Sequence, residues 1–194
     1  MKLESKRIEI IPLTLHEMKI FIKSRSDYEK HANLKVTGEE VPEFYREEIK
    51  EMIKHDPEFW TSKNKEYLFH TVWLMVLKDT KTIAGQFFFN GHPNDHGEVE
   101  IFFMVEKTFR RKGIATEAML EILKWGCKTK VFKKVLIEAD LQNKAAMASL
   151  RKLGFKQQPI DEEEEITPTK YYKTIYTDEP CLDDLEVDPV HDQE

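Results

Sequence analysis

The sequence predicts an α+β domain with helices layered on a mixed sheet, and three observations predict it. Runs rich in β-branched and aromatic residues are interleaved with runs of helical spacing. Three of the strand-like runs follow one another between residues 68 and 105 across short polar breaks, which marks antiparallel hairpins. A strand–helix–strand order over residues 98–139 then calls for two parallel strands joined by a right-handed crossover.

Each element has a local reason. Arg7 to Leu13 alternates as a strand and stops at Pro12. Leu15, Met18, Phe21 and Ile22 then fall on one helical face. Residues 24–40 are polar and read as irregular. Pro42 suits a first helical position, and Tyr45, Ile49, Met52 and Ile53 form the apolar face of the helix that follows, ended by His55-Asp56-Pro57. Leu68–Leu77 and Thr82–Phe89 make a hairpin about Asp79-Thr80-Lys81. A Gly/Pro-rich loop over 91–97 leads to a strand from Glu98 to Val105. Residues 113–126 keep helical spacing, Lys134–Ala139 is a strand, and Lys144–Leu153 is a short helix stopped by Gly154. Phe155–Ile160 and Lys170–Tyr176 close the chain as a hairpin around an acidic loop. Residues 1–176 form one domain on this reading, and 177–194 an acidic C-terminal tail.

The charge supports that division. The net charge is −6, yet all 30 Lys and Arg and all but eight of the 36 acids precede Thr177. The folded part is therefore close to neutral, and no dominating basic face suggests nucleic acid. No run approaches the roughly eighteen apolar residues that would span a bilayer. Met1 to Ile10 lacks the apolar core of a secretory leader. Cys127 and Cys181 make no disulfide framework, so a reducing, cytoplasmic setting is the default. His92 and His96 stand four apart in a Gly/Pro loop, which is poor metal geometry, and no metal is expected.

One junction carries chemistry. A strand ending at Val105 leads through Arg110-Arg111-Lys112-Gly113 into a helix. The first turn of a helix presents unpaired N–H groups and the positive end of its dipole, which together attract anions. Gly113 and Ala115 keep the backbone approachable, and Arg110, Arg111 and Lys112 supply charge for phosphate oxygens. The pattern is neither a Walker loop nor a dinucleotide fingerprint. Taken alone, it reads equally well as a solvated loop before an ordinary helix.

Its surroundings narrow the choice. Arg110-x-x-Gly113-x-Ala115 resembles the acetyl-CoA pyrophosphate loop of the GNAT superfamily of N-acetyltransferases. Glu98-Val99-Glu100-Ile101 before it, Asn143 beyond the next strand and Lys152-Leu153-Gly154-Phe155 after the next helix are ordered as in that family. Within it, the chain looks most like the Rim-type (ribosomal-protein N-terminal) acetyltransferases. The resemblance implies a GNAT-like fold: a mixed, mostly antiparallel sheet of about seven strands, flanked by helices, with one splayed parallel pair.

It also implies roles. Acetyl-CoA, as co-substrate, would lie in the splay along Phe103, Met104 and Val105, where one backbone N–H faces the thioester carbonyl. Its pyrophosphate would rest on the N–H groups of Arg111, Lys112, Gly113, Ile114, Ala115 and Thr116, with Asn143 binding the pantetheine arm or an ordered water. Glu100 matches the family's glutamate base, and strand alternation puts Glu98 and Glu100 on one face. The leaving-group acid departs from the pattern, because Ala146 and Leu150 stand where relatives carry a serine or a tyrosine. Ser149 is the nearby hydroxyl and the candidate acid, with helix back-bonding as its other role.

The implied reaction is acetyl transfer to a primary amine by direct attack in a ternary complex. The acceptor is a protein N-terminal amine or a small-molecule amine, and the acidic run Asp161–Glu165 reads either as a solvated loop or as a field that draws a cationic amine. The chain would act as a monomer or homodimer. The alternative is a catalytically weak acyl-CoA-binding or sensor module.

Overall fold

The computed structural model describes residues 1–54, 66–140, 142–158 and 169–174. They fall into two compact units that meet in sequence at His92–Pro93. The His55–Pro57 helix stop, the acidic loop 161–165 and the tail 177–194 lie outside the described residues.

In the first unit, strands β1 (Leu3–Glu4), β2 (Ile8–Pro12), β3 (Val72–Leu77) and β4 (Ile83–Phe89) pair antiparallel in that order. Helices α1 (Leu15–Lys23), α2 (Arg25–His31) and α3 (Glu43–Lys54) precede β3. Thr14 starts α1 with a capping box. Its hydroxyl accepts from Glu17 N at 3.3 Å, and the Glu17 carboxylate accepts from Thr14 N at 2.7 Å. Met18, Phe21 and Ile49 pack with Leu13, Tyr28, Val41, Val72, Leu74 and Val76 into one core cluster. Trp73 points the other way and stacks on Phe87, ring centroids 5.6 Å apart.

Helix α2 corrects the irregular reading of 24–40. Ser24 accepts from Asp27 N at 3.1 Å, an N-cap whose Ser-x-x-Asp signature is present in the sequence. The polar run is held from inside. Arg25 and Glu29, only 2% and 0% exposed, pair at 3.2 Å. The Glu29 carboxylate also accepts from the Thr37 backbone N–H and hydroxyl, both at 2.9 Å. A polar run that reads as irregular thus contains a buried carboxylate strapping down the next loop.

In the second unit, β5 (Glu98–Val105), α4 (Ile114–Thr129) and β6 (Lys134–Ala139) form the expected strand–helix–strand, and β5 and β6 are parallel. Helix α5 (Lys144–Lys152), β7 (Lys156–Gln157) and β8 (Thr169–Thr174) follow. β8 lies between β6 and β7, antiparallel to both. The described residues thus hold eight strands rather than about seven, the addition being the two-residue β1. α4 packs against β5 and α5. Its buried face runs through Ala118, Ile122, Leu123 and Trp125, with Trp125 edge-on to Phe132.

Breaking the buried pair has a defined cost. Glu29→Ala leaves Arg25 charged and buried, so urea unfolding should show a loss of about 3–5 kcal/mol. Replacing both by Arg25→Met and Glu29→Leu should lose markedly less. A loss for Glu29→Ala no larger than that of an ordinary surface change would contradict this account.

Candidate active site

The site grows from the join between β5 and β6. Gly97 has φ +76°, a conformation that suits glycine, and an added Cβ would meet the Lys133 side chain at 3.0 Å. Its carbonyl accepts from Lys133 N at 2.7 Å and from Lys134 N at 3.1 Å, fixing the two strands in register at their start. Parallel pairing then covers three positions, Glu98–Lys134, Val99–Val135 and Glu100–Leu136. β5 continues to Val105 without β6 beside it, although β6 stays paired to β8 along all six of its residues. The strands therefore part after Glu100, and Phe102 to Val105 are half-buried.

Register sorts the side chains by face. Val99, Ile101, Val135, Ile137, Ala139 and Tyr171 share the buried face. Glu98, Glu100, Lys134, Leu136 and Tyr172 share the more open one. The two glutamates differ in environment. Glu98 Oε1 meets Lys134 Nζ at 2.8 Å, and Asn94 Nδ2 donates to Glu98 Oε2 at 3.0 Å. These contacts, Lys134 first and Asn94 second, hold the Glu98 carboxyl below its ordinary range. Lys134 is itself 4.6 Å from the Tyr172 ring centroid. Glu100 stands at the last paired position, where the gap opens.

Sequence reasoning overlooks Asn94. Its Oδ1 accepts from His96 N at 3.0 Å and from Glu98 N at 2.9 Å, so it shapes the turn and delivers β5. The signal was an asparagine in a turn, where its side chain bonds the backbone two residues on.

Beyond Val105 the chain makes a single 3-10 turn (Lys107–Phe109) and reaches the junction. Arg111 and Gly113 are both left-handed, with φ +61° and +73°. Gly113 is the N-cap of α4 and has no side chain to bond the helix. The first intrahelical bond in the turn runs from Glu117 N to Gly113 O at 3.0 Å, so the N–H groups of Ile114, Ala115 and Thr116 precede the helical ladder. Arg111 and Lys112 are exposed, and Lys112 Nζ lies 5.5 Å from the Phe109 ring centroid. Arg110 does something else: its Nε donates to the Val105 carbonyl at 3.0 Å, tying the loop back to the strand end.

At the far end of β6, Asn143 caps α5, accepting from Ala146 N at 3.1 Å through Oδ1. Its amide NH2 is the donor that could meet a ligand. The Ser149 hydroxyl donates to the Ala145 carbonyl at 3.1 Å, the back-bonded arrangement. Cys127 is 2% exposed and disulfide-bonded, against the expectation of reduced thiols, and so offers no thiolate. Among the described residues no group of three or more His, Cys, Asp or Glu could hold a metal. His92 instead packs on Phe69 and His70, at 5.2 and 4.7 Å between ring centroids. No described helix is long and apolar enough to cross a membrane.

The uncapped helix start offers backbone N–H groups to an anion, and the family relationship sets the context. The Acetyltransferase (GNAT) domain family matches residues 7–156, and the chain belongs to that family of acetyltransferases. An uncharacterized N-acetyltransferase, YjdG of Bacillus subtilis (strain 168), is 28% identical over 149 residues, which cover 76% of this chain and 88% of that one. Among solved structures, ribosomal-protein-S5-alanine acetyltransferase from Vibrio fischeri has a TM-score of 0.60 at 13% identity, covering 90% of this chain and 96% of its own. The microcin C7 self-immunity acetyltransferase MccE, solved with acetyl-CoA and AMP, has a TM-score of 0.58 at 18% identity, covering 88% and 94%. At these identities the structural likeness concerns the fold.

The Glu98 contacts make a prediction about acid. Its folded-state pKa lies below the unfolded value. The stability it contributes is therefore present above the ordinary carboxylate range and is lost as pH falls through the depressed value. In Lys134→Met, a carbon-13 NMR titration should show the Glu98 carboxyl moving up toward its ordinary range. An unmoved titration would show that Lys134 is not the cause.

Proposed function

We propose that the chain is an acetyl-CoA-dependent N-acetyltransferase that moves the acetyl group to a primary amine by direct attack in a ternary complex. The observation that carries the reading is the parting of β5 from β6 after Glu100, with the uncapped start of α4 at the end of the same connection. The pantetheine arm carries amides, and the stretch of β5 from Phe103 through Met104 to Val105, beyond its last position paired with β6, would bring backbone groups to them. A backbone N–H of that run would polarise the thioester carbonyl and stabilise the oxyanion as the amine attacks.

The pyrophosphate fits the turn from Arg111 to Thr116. Arg111 and Gly113 are left-handed there, and a turn that alternates left-handed residues is of the kind whose N–H groups cradle an anion. Arg111 and Lys112 are exposed to approach it. The Arg110 guanidinium serves a different end, holding the loop through Nε while its other nitrogens stay available to a phosphate oxygen.

Glu100 takes the role of base. The Lys134–Asn94 network engages Glu98, whereas Glu100 stands where the gap opens. An ammonium acceptor gives its proton to Glu100, directly or through one water, and the neutral amine attacks the carbonyl carbon. The C–N bond forms, the C–S bond breaks, and the thiolate leaves as coenzyme A. Ser149 would protonate it only by giving up its bond to Ala145. Solvent can do the same, since a thiolate is a modest base. Asn143, fixed at the start of α5, holds the pantetheine arm or an ordered water. The acceptor is a protein N-terminal amine or a small-molecule amine, and an amine panel read by release of free thiol separates the two.

Two substitutions test the assignment. Glu100→Gln should lower the rate about a hundredfold at neutral pH and much less at high pH, where the amine deprotonates unaided. Equal loss at every pH would reject Glu100 as base. Gly113→Val puts a branched side chain on a left-handed residue at the helix start, so the Kd for coenzyme A should rise about tenfold or more. Unchanged affinity in a variant of normal melting temperature would contradict the anion site.

A further inference from the structure

The second unit holds a buried hydroxyl for which the fold supplies no partner. Tyr171, on β8, is 2% exposed, and its Oη makes no hydrogen bond among the described residues. A buried tyrosine ordinarily satisfies its O–H, because a donor taken out of water and left unmet destabilises the fold. Its neighbour Tyr172 stands on the opposite face of the strand, under Lys134.

Register says where that hydroxyl is. Tyr171 pairs with Ile137, the first residue of β6 beyond Leu136, and Leu136 is the last one paired with β5. Tyr171 is therefore level with the place where β5 and β6 part, one strand back from the gap. A long aromatic side chain reaches across such a diagonal. It shares its face with Val99, Ile101, Ile137 and Ala139, all buried, whereas Glu100 is on the other face. Helix α4 packs against β5, and a packed helix buries the sheet face it covers. A coenzyme whose pyrophosphate rests at the start of α4 thus brings its sulfur in on the Tyr171 side. An amine that gives its proton to Glu100 comes from the opposite side.

The α5 side chains offer the sulfur little. Ala146 and Leu150 have no proton to give, and the Ser149 hydroxyl donates to the Ala145 carbonyl at 3.1 Å. Resting on the acetyl-transfer reading above, we propose that Tyr171 is the general acid that protonates the departing thiolate. As the C–S bond of the tetrahedral intermediate breaks, its electron pair goes to sulfur. The Tyr171 O–H transfers its proton there, an S–H bond forms, and the phenolate regains a proton from water once coenzyme A has left. Base and acid then work on opposite faces of one gap, Glu100 on the nitrogen that joins and Tyr171 on the sulfur that leaves.

Tyr171→Phe removes the oxygen and keeps the ring. With enzyme in excess over acetyl-CoA and the best amine of the panel, its single-turnover release of thiol should be at least about tenfold slower than wild type. The Kd for acetyl-CoA should move less than about twofold, and the melting temperature should hold or rise, since an unmet donor has been removed. A hydroxyl with a purely structural role gives the reverse, a lower melting temperature with the rate intact, and that result would overturn the proposal. So would a loss of rate in Ser149→Ala with none in Tyr171→Phe. A wild type that releases no thiol with any amine overturns the acetyl-transfer reading as well, whereas an active wild type with an equally active Tyr171→Phe overturns this assignment alone.

Discussion

A single carbonyl, that of Gly97, accepts from both Lys133 and Lys134, and the candidate site depends on that contact. It starts β5 and β6 side by side and sets which residues face which. Three paired positions follow, and then the strands separate. Had the parallel ladder continued to Val105, the backbone groups of Phe103 to Val105 on that side would be consumed by β6. Stopping it early leaves this half-buried stretch of β5 outside the ladder with β6. The turn through Gly97 needs a left-handed residue against the Lys133 stem, which is why a glycine stands there.

The same register separates two glutamates that sequence places two apart on one face. Glu98 is drawn into an ion pair with Lys134 and a bond from Asn94, which keep it charged and structural. Glu100, two residues on, is beside the opening. Proximity to a cation is what an acid–base group must avoid if it is to take a proton near neutrality, because a neighbouring ammonium stabilises the carboxylate and lowers its basicity. The network around Glu98 therefore closes the start of the strand pair and keeps that carboxylate charged.

In the first unit the corresponding anchor is Glu29. An Arg–Glu pair at i,i+4 is ordinarily a surface feature of small worth. Here both partners are buried, and the carboxylate also takes two bonds from Thr37, so the pair organises the residues between α2 and α3. Burial changes the energetics because a charge removed from water must be satisfied by named partners, and losing one partner leaves the other uncompensated.

Much of this was legible before any coordinates. Hydrophobic period and turn chemistry are local properties, so the bounds of β5 and β6, the starts of α1 and α3, the parallel pair and the helix that begins after Gly113 follow from the residues alone. The family pattern about Arg110, Gly113 and Ala115 is equally local. Helix α2 was misjudged because its apolar content is slight, although the Ser24 cap announced it. What tertiary structure decided is where partners come from. Residues distant in sequence set the early end of the β5–β6 ladder, the division between Glu98 and Glu100, and the burial of Arg25 and Glu29. The left-handed turn at Arg111 belongs with these: a non-glycine residue adopts it only where the surrounding chain requires it, and the requirement comes from joining a strand end to a helix start in a few residues.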